Sequence, residues 1–273
     1  MSFDEISAGK KIMSLIPEIV TGAFVGLIIS TTGVGGGVIV LPILTYFFGL
    51  DALSAVATAN LLSMLMKISS SYMHFRIGNI PLFQSVVILL IMLPGTVLAS
   101  YGVTILSHLS HYQMQLEWGI NLLVVFAILF SLYLFYHQIR QTPKPDSHGG
   151  LQSGWVKSLL LPATGAGLVL GATGVGGGVV VLPLLLRYTQ MNIKQAIGVS
   201  LFVTMILSGS SAFAYAYGDH THWKLAVMLF MGSLLAIPFA KYLMKCLPDN
   251  VFQYATFSLI LCSAVLMGIR LIE

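Results

Sequence analysis

Hydrophobic and polar positions along this chain fall into long blocks. Apolar blocks cover residues 15–31, 38–48, 52–75, 81–106 and 112–136, then 159–172, 179–186, 194–217, 223–243 and 251–269. An apolar run of about 18 residues or more with few charges predicts a membrane-crossing helix. Most of the blocks meet that length, but the first pair in each half does not fit one crossing. Blocks 15–31 and 38–48 together take in roughly 34 residues, about 50 Å as one helix against about 30 Å of hydrocarbon. A hairpin that turns inside the membrane fits them better. Small residues at Gly22 and Gly26 set a spacing that lets two helices approach closely.

The polar residues inside two of the long blocks are ordered. Asn60, Ser63, Lys67, Ser70 and His74 follow intervals of 3, 4, 3 and 4, which places them on one face of a helix. Thr204, Ser208, Ser211 and Tyr215 follow 4, 3 and 4. Subtracting 141 from these four numbers gives Ser63, Lys67, Ser70 and His74. The stripe is therefore duplicated in register, and each copy is expected to face its mate across the interface between two repeats.

Between the short blocks lies the strongest repeat. Thr32-Gly33-Val34-Gly35-Gly36-Gly37-Val38-Ile39-Val40-Leu41-Pro42 returns, 141 residues on, as Thr173-Gly174-Val175-Gly176-Gly177-Gly178-Val179-Val180-Val181-Leu182-Pro183, with ten of eleven positions identical. Such a glycine density cannot propagate a helix, since each glycine costs up to about 1 kcal/mol relative to alanine. In lipid the freed backbone groups must find partners in protein, water or a ligand. Paired breaks at corresponding places in two halves are the best sequence pointer to a transporter binding site. Amide groups at the start of the half-helices beginning near Val38 and Val179 form positive dipole ends suited to an anion.

The predicted fold is an all-α polytopic membrane protein of two tandem repeats. Each repeat has a glycine-broken helix or re-entrant hairpin followed by about three transmembrane helices. Residues 1–137 form the first repeat, 138–157 a polar, basic, Pro/Gly-rich linker in water, and 158–273 the second repeat. The linker and Arg76 favour the cytoplasm, and the turn 107–111, without Lys or Arg, favours the outside. The remaining cations leave the topology open. If each glycine segment is a hairpin, Lys10, Lys11, Lys224 and Arg270 face out while Arg187, Lys194, Lys241 and Lys245 face in. Straight crossings reverse both sets. Block length favours the hairpins, and hence inverted repeats.

Composition sharpens this reading. Hydrophobic residues make up 57% of 273 and charged ones 8%, where soluble domains carry about 25% charged residues. Mean hydropathy is +0.92. A net charge of +4 on so few charges does not suggest nucleic-acid binding. Lys10-Lys11 precede an apolar run that Pro17-Glu18 interrupts, with no small-residue cleavage site, so the run reads as a first membrane limb. Cys246 and Cys262 lie in apolar sequence and read as buried small side chains without metal-ligand spacing.

The glycine motif is not a dinucleotide fingerprint, which needs a preceding strand and an acidic residue about 20 positions on. Nothing matches a P-loop, H-E-x-x-H or G-x-S-x-G, so no enzyme, ATP-driven pump or cofactor is expected. His108, His111, Asp219, His220 and His222 sit in predicted turns, where interfacial histidines are ordinary. Lys67 is different. It lies nine residues from Arg76, roughly 13 Å deeper along a helix, and an intramembrane lysine is a functional-site hypothesis by default. The alternative is a lysine that snorkels to the interface. No carboxylate shares its face, which favours an anionic ligand, with Asn60, Ser63, Thr204, Ser208 and Ser211 as further donors.

The duplicated T-G-V-G-G-G-x-x-x-L-P, each copy followed by an Ala-rich block (52–59 and 196–200), resembles the TauE/SafE sulfite-exporter family of anion permeases over essentially the whole chain. The resemblance implies a multi-pass transporter of the bacterial inner (cytoplasmic) membrane, working without nucleotide. Its substrates would be small sulfur-containing oxyanions, sulfite or organosulfonates, with coupling to protons or membrane potential. It implicates Gly33, Gly35, Gly36, Gly37 and Pro42, with Gly174, Gly176, Gly177, Gly178 and Pro183. The family's Ala-rich element often carries Thr-Asn or Thr-Ser, here Thr58-Ala59-Asn60 and Val199-Ser200. Together with the stripe this gives Asn60, Ser63, Lys67, Ser200, Thr204 and Ser208 as candidate substrate contacts. The alternatives are uptake of thiosulfate or another small anion, and a membrane scaffold subunit that transports nothing.

Overall fold

The computed structural model describes residues 3–32, 36–108, 113–140, 155–175, 180–189, 191–218 and 220–272. Among these the regular elements are all helical. They are α1 (Phe3–Thr32), α2 (Gly36–Pro42), α3 (Ala52–Arg76), α4 (Leu82–Ser107), α5 (Gln113–Arg140), α6 (Trp155–Thr173), α7 (Val181–Tyr188), α8 (Ile193–Ala216), α9 (Trp223–Cys246) and α10 (Asp249–Ile272). A wider π-helical turn, Ile43–Phe47, extends α2. Five described stretches are long and apolar enough to cross a bilayer, in α3, α4, α6, α8 and α9. The described residues are all-α, with the several spanning-length helices a multi-pass membrane protein needs.

Boundaries differ from the sequence expectation in informative ways. Helix α1 begins at Phe3 and runs through Pro17 without ending; a proline costs a helix one donor and a clash with the carbonyl four residues back, which a membrane helix tolerates where its surroundings take up the freed group. Gly36 and Gly37 belong to α2, so that helix starts two residues before Val38. Helix α5 reaches Arg140 and α6 starts at Trp155, so both ends of the stretch read as linker are helical. Its centre, 141–154, lies outside the described residues. Cys246 and Cys262 are exposed, contrary to their expected burial. In a membrane protein the outer surface is as apolar as the core, and apolar neighbours do not tell the two apart.

Helices α3 and α8 form the centre. Of their apolar stretches 78% and 67% are buried, against 28% for α4 and 33% for α9. Each has a sequence-encoded start. Asp51 caps α3 by accepting from the Ser54 amide at 3.0 Å, and Asn192 with Gln195 forms a reciprocal capping box on α8. The two run antiparallel. Asp51 at the start of α3 feels His220 just beyond α8, Lys67 meets Ser208 midway, and His74 near the end of α3 lies beside Gly198 near the start of α8.

Around this pair, α1 packs on α9 and α6 packs on α4, and small residues permit both contacts. A Cβ on Gly26 would meet Ser233 of α9, and a Cβ on Gly167 would overlap the Met92 carbonyl of α4. Gly26 and Gly167 stand 141 apart, as do Met92 and Ser233. Gly22 is pressed equally hard against the Leu229 backbone. Without a hydrophobic drive between helices in lipid, this close van der Waals fit is what holds the pairs. Large apolar side chains such as Phe47, 81% exposed, and Leu161, 85% exposed, cover the outer surface.

Candidate substrate site

The polar stripe of α3 lies entirely inside the protein. Asn60, Ser63, Lys67, Ser70 and His74 are each no more than 1% exposed, as are Thr204, Ser208, Ser211 and Tyr215 on α8. A seven-residue interval such as Asn60 to Lys67 covers about 10 Å of helix, so the buried polar seam runs well over half of the hydrocarbon thickness.

Lys67 is at its middle. The ammonium donates to Ser208 Oγ at 3.4 Å, its own counterpart under the 141-residue offset. Ser208 in turn donates to Ser63 Oγ at 3.5 Å. At 1% exposure the lysine does not snorkel. Among the described residues no carboxylate pairs with it, and a buried ammonium without a counter-charge costs several kcal/mol. Of its three donors one is engaged. Two ammonium N–H groups and the Ser63 hydroxyl proton therefore remain on either side of Ser208, a donor set that would suit an acceptor-rich anion. The site is closed to solvent in this conformation.

One to two turns away the two halves touch through glycine. A Cβ on Gly37 would overlap the Gly174 carbonyl and Val175 Cα, so the start of α2 and the end of α6 meet backbone to backbone. Gly174 adopts φ +67°, a conformation that favours glycine, and this turns the chain out of α6. A Cβ there would lie 3.0 Å from Asn60 Nδ2, so the Asn60 amide faces this turn. That amide donates to the Val56 carbonyl at 3.0 Å, while Asn60 Oδ1 is buried without a partner. Thr173 Oγ1 accepts from the Val175 amide at 3.1 Å and secures the bend.

Below the glycine segments the helix ends are clamped. His74 Nε2 donates to the Ser30 carbonyl at 3.2 Å in the last turns of α1, and Asn79 Nδ2 donates to His74 Nδ1 at 3.5 Å. In the second half Tyr215 stands for His74, and its hydroxyl contacts the Gly171 and Ala172 carbonyls of α6 at 3.0 and 3.2 Å. Ser30 and Gly171 correspond, so the same clamp is built twice from different side chains. The substitution has a visible cost. Ser30 and Ser70 share a 2.5 Å hydrogen bond, but Gly171 offers no hydroxyl and Ser211 Oγ, the counterpart of Ser70, is buried unpaired.

Of the candidate residues read from the sequence, Ser63, Lys67 and Ser208 come together, and Asn60, Gly37 and Gly174 form a second group. Gly36 lies in α2. Ser200 and Thr204 are buried on α8, yet each spends its hydroxyl proton on its own helix, Ser200 on Ile197 at 2.9 Å and Thr204 on Ser200 at 2.5 Å. Gly33, Gly35, Gly176, Gly177 and Gly178 lie outside the described residues. The clamp residues Ser30, His74 and Tyr215 were not among the sequence candidates. The 141-residue register of His74 with Tyr215 was the signal for two of them; Ser30 sits in an apolar block and had none.

Comparison with known proteins bears on the whole chain. The family model described as sulfite exporter TauE/SafE matches residues 18–267. A protein of Xylella fastidiosa named probable membrane transporter protein is 26% identical over 226 residues, covering 82% of each chain. One of Methanocaldococcus jannaschii with the same designation is 26% identical over 204 residues, 72% of this chain and 70% of the relative. Another, from Bacillus subtilis, is 22% identical over 267 residues, 93% and 98%. No solved structure matches.

Proposed function

Because the chain belongs to the sulfite exporter TauE/SafE family of membrane transporters, we propose that it exports a small sulfur-containing oxyanion, sulfite or an organosulfonate, across the inner membrane. The anion binds between α3 and α8, on Lys67 and Ser63 from one helix and Ser208 from the other. The glycines of the two repeated segments, Gly33 and Gly35 to Gly37 with Gly174 and Gly176 to Gly178, are the further candidate contacts, through backbone amides, and Asn60 lies against the bend at Gly174. The observation that carries this reading is the buried lysine. An ammonium kept in the protein interior with spare donors and no carboxylate is costly unless an anion completes it, and a scaffold subunit has no use for one.

The halves work as inverted repeats. Counterpart helices α3 and α8 run antiparallel, which supports this. Arg76 and Lys241 also line one groove, so the ends of α3 and α9 lie on the same side. That agrees with hairpin-like glycine segments, for which Arg76 and Lys241 both face the cytoplasm, and disagrees with straight crossings. Alternating access then exchanges the two halves about Lys67 and Ser208. No nucleotide is needed. An inside-negative potential favours outward movement of an anion by about 2.3 kcal/mol per charge per 100 mV, and protons are a second available coupling.

Binding of sulfite, sulfoacetate, thiosulfate and a carboxylate of similar size to the purified protein tests the substrate class. Sulfite or sulfoacetate is expected to bind at least tenfold tighter than the carboxylate. The order is expected to vanish in Gly36→Leu and Gly177→Leu, where a side chain blocks close approach of the ligand to backbone. Equal binding of all four anions by the parent protein would exclude the proposed site chemistry.

A further inference from the structure

A cavity of about 620 Å³ lies between α3 and α9, lined by Ile68, Ser69, Tyr72, Met73, Arg76, Ile237 and Lys241 but not by Lys67. It opens outward, since Ile68 is 48% and Tyr72 64% exposed, and both cations are exposed. Among the described residues neither Arg76 nor Lys241 has an acidic partner. The two helices run parallel here. The His222 amide at the start of α9 bonds Thr58 near the start of α3, so both cations come at the matching helix ends. From Ile68 to Arg76 the groove extends eight residues, about 12 Å along a helix, close to the roughly 15 Å depth of one hydrocarbon leaflet.

We propose that this groove is a binding site for one anionic phospholipid. Its phosphate sits between Arg76 and Lys241 and one acyl chain lies along Tyr72, Ile68 and Ile237. Charge decides the occupant. A zwitterionic lipid would fill the apolar part as well but bring its own ammonium beside the two cations, and a soluble anion would gain nothing from the apolar length. The site belongs to one leaflet. By the 141-residue offset Arg76 corresponds to Tyr217 and Lys241 to Ser100, so the equivalent face between α8 and α4 carries no cation. The leaflet is the one that Arg76 faces, where positive residues and anionic headgroups ordinarily meet. The bound chain ends beside Ile68, the neighbour of Lys67, so its presence braces α3 at the level of the transport site.

The test is native mass spectrometry of the delipidated full-length protein with phosphatidylglycerol and phosphatidylcholine of identical chains. The parent is expected to retain phosphatidylglycerol about tenfold better, and Arg76→Gln with Lys241→Gln to reduce that preference to twofold or less. Lys224→Gln, at the opposite end of α9, keeps it, and Arg76→Lys with Lys241→Arg restores most of it. Equal retention of the two lipids by the parent overturns the proposal, as does an undiminished preference in the double glutamine variant. A double variant that loses sulfite binding while still preferring phosphatidylglycerol also overturns it, and makes the groove an entry path for small anions.

Discussion

Replacing Lys67 with methionine separates the two roles a buried lysine can have. Methionine fills a similar volume and is flexible enough to follow the lysine's path. A lysine at the centre of a membrane helix costs about 2.5–3.5 kcal/mol on insertion scales. Against that gain stands its bond to Ser208, long at 3.4 Å and worth about 1 kcal/mol. Ser208 keeps Ser63 as an acceptor, so no new orphan forms. The variant should therefore be about 2 kcal/mol more stable than the parent in ligand-free detergent solution. By the size scaling for chains of 150–250 residues that is roughly 4–8 °C in Tm. Sulfite affinity moves the opposite way, by at least about 1.5 kcal/mol for loss of a charged partner, which is more than about tenfold. Thermal unfolding with and without saturating sulfite reads both quantities, since a ligand that binds only the folded state raises Tm by mass action. A variant with a lower Tm than the parent and an intact sulfite-induced rise would show that the lysine is structural and not a ligand for the anion.

Other substitutions probe the frame around the site. Gly37→Ala places a methyl into the backbone of Gly174 and Val175 and should lower Tm by several degrees. Gly119→Ala on α5, where nothing lies within 4 Å, should be neutral or stabilising by about 0.5–1 kcal/mol. Tyr215→Phe strips the hydroxyl from two α6 carbonyls and should destabilise by about 1–3 kcal/mol, whereas Ser211→Ala, which removes a buried hydroxyl without a partner, should raise Tm. At Asp51 partial burial pushes the carboxyl pKa up, but hydrogen bonds from Ser54 outweigh it and leave it below the ordinary range. Its cap therefore stabilises above the unfolded carboxyl pKa of about 4 and is lost as pH falls through the lower folded value. Asp51→Ala should cost about 1 kcal/mol at neutral pH, and the gap to the parent in denaturation curves should narrow below about pH 4.

Much of this was legible in the chain because lipid simplifies the code. Block length marks the spans in α3, α4, α8 and α9, and the intervals of 3 and 4 between Asn60 and His74 mark five residues of α3 that are all buried. The 141-residue register of Lys67 with Ser208 named two side chains that touch. Four things were hidden. Proline at position 17 reads as an interruption, although a helix tolerates the single lost donor when its neighbours remain bonded. Cys246 and Cys262 are exposed although their neighbours are apolar, because apolar sequence marks lipid-facing and core positions alike. The hydroxyls of Ser200 and Thr204 looked like free donors, but a hydroxyl on a helix can bond the carbonyl three or four residues back, and spacing carries no sign of that. Ser30 shows the limit most clearly. Its carbonyl and hydroxyl join His74 and Ser70 across 44 and 40 residues of chain, a meeting that only the packing of α1 on α3 creates.

On the proposed function, a sulfur oxyanion crosses this protein by way of Lys67 between α3 and α8. The most direct test is radiolabelled sulfite flux in proteoliposomes without nucleotide, comparing the parent with Lys67→Met at matched reconstitution. Saturable flux, competed by sulfoacetate, is expected for the parent, and flux at least about tenfold lower for Lys67→Met. Equal saturable flux in the two proteins would contradict the proposed route.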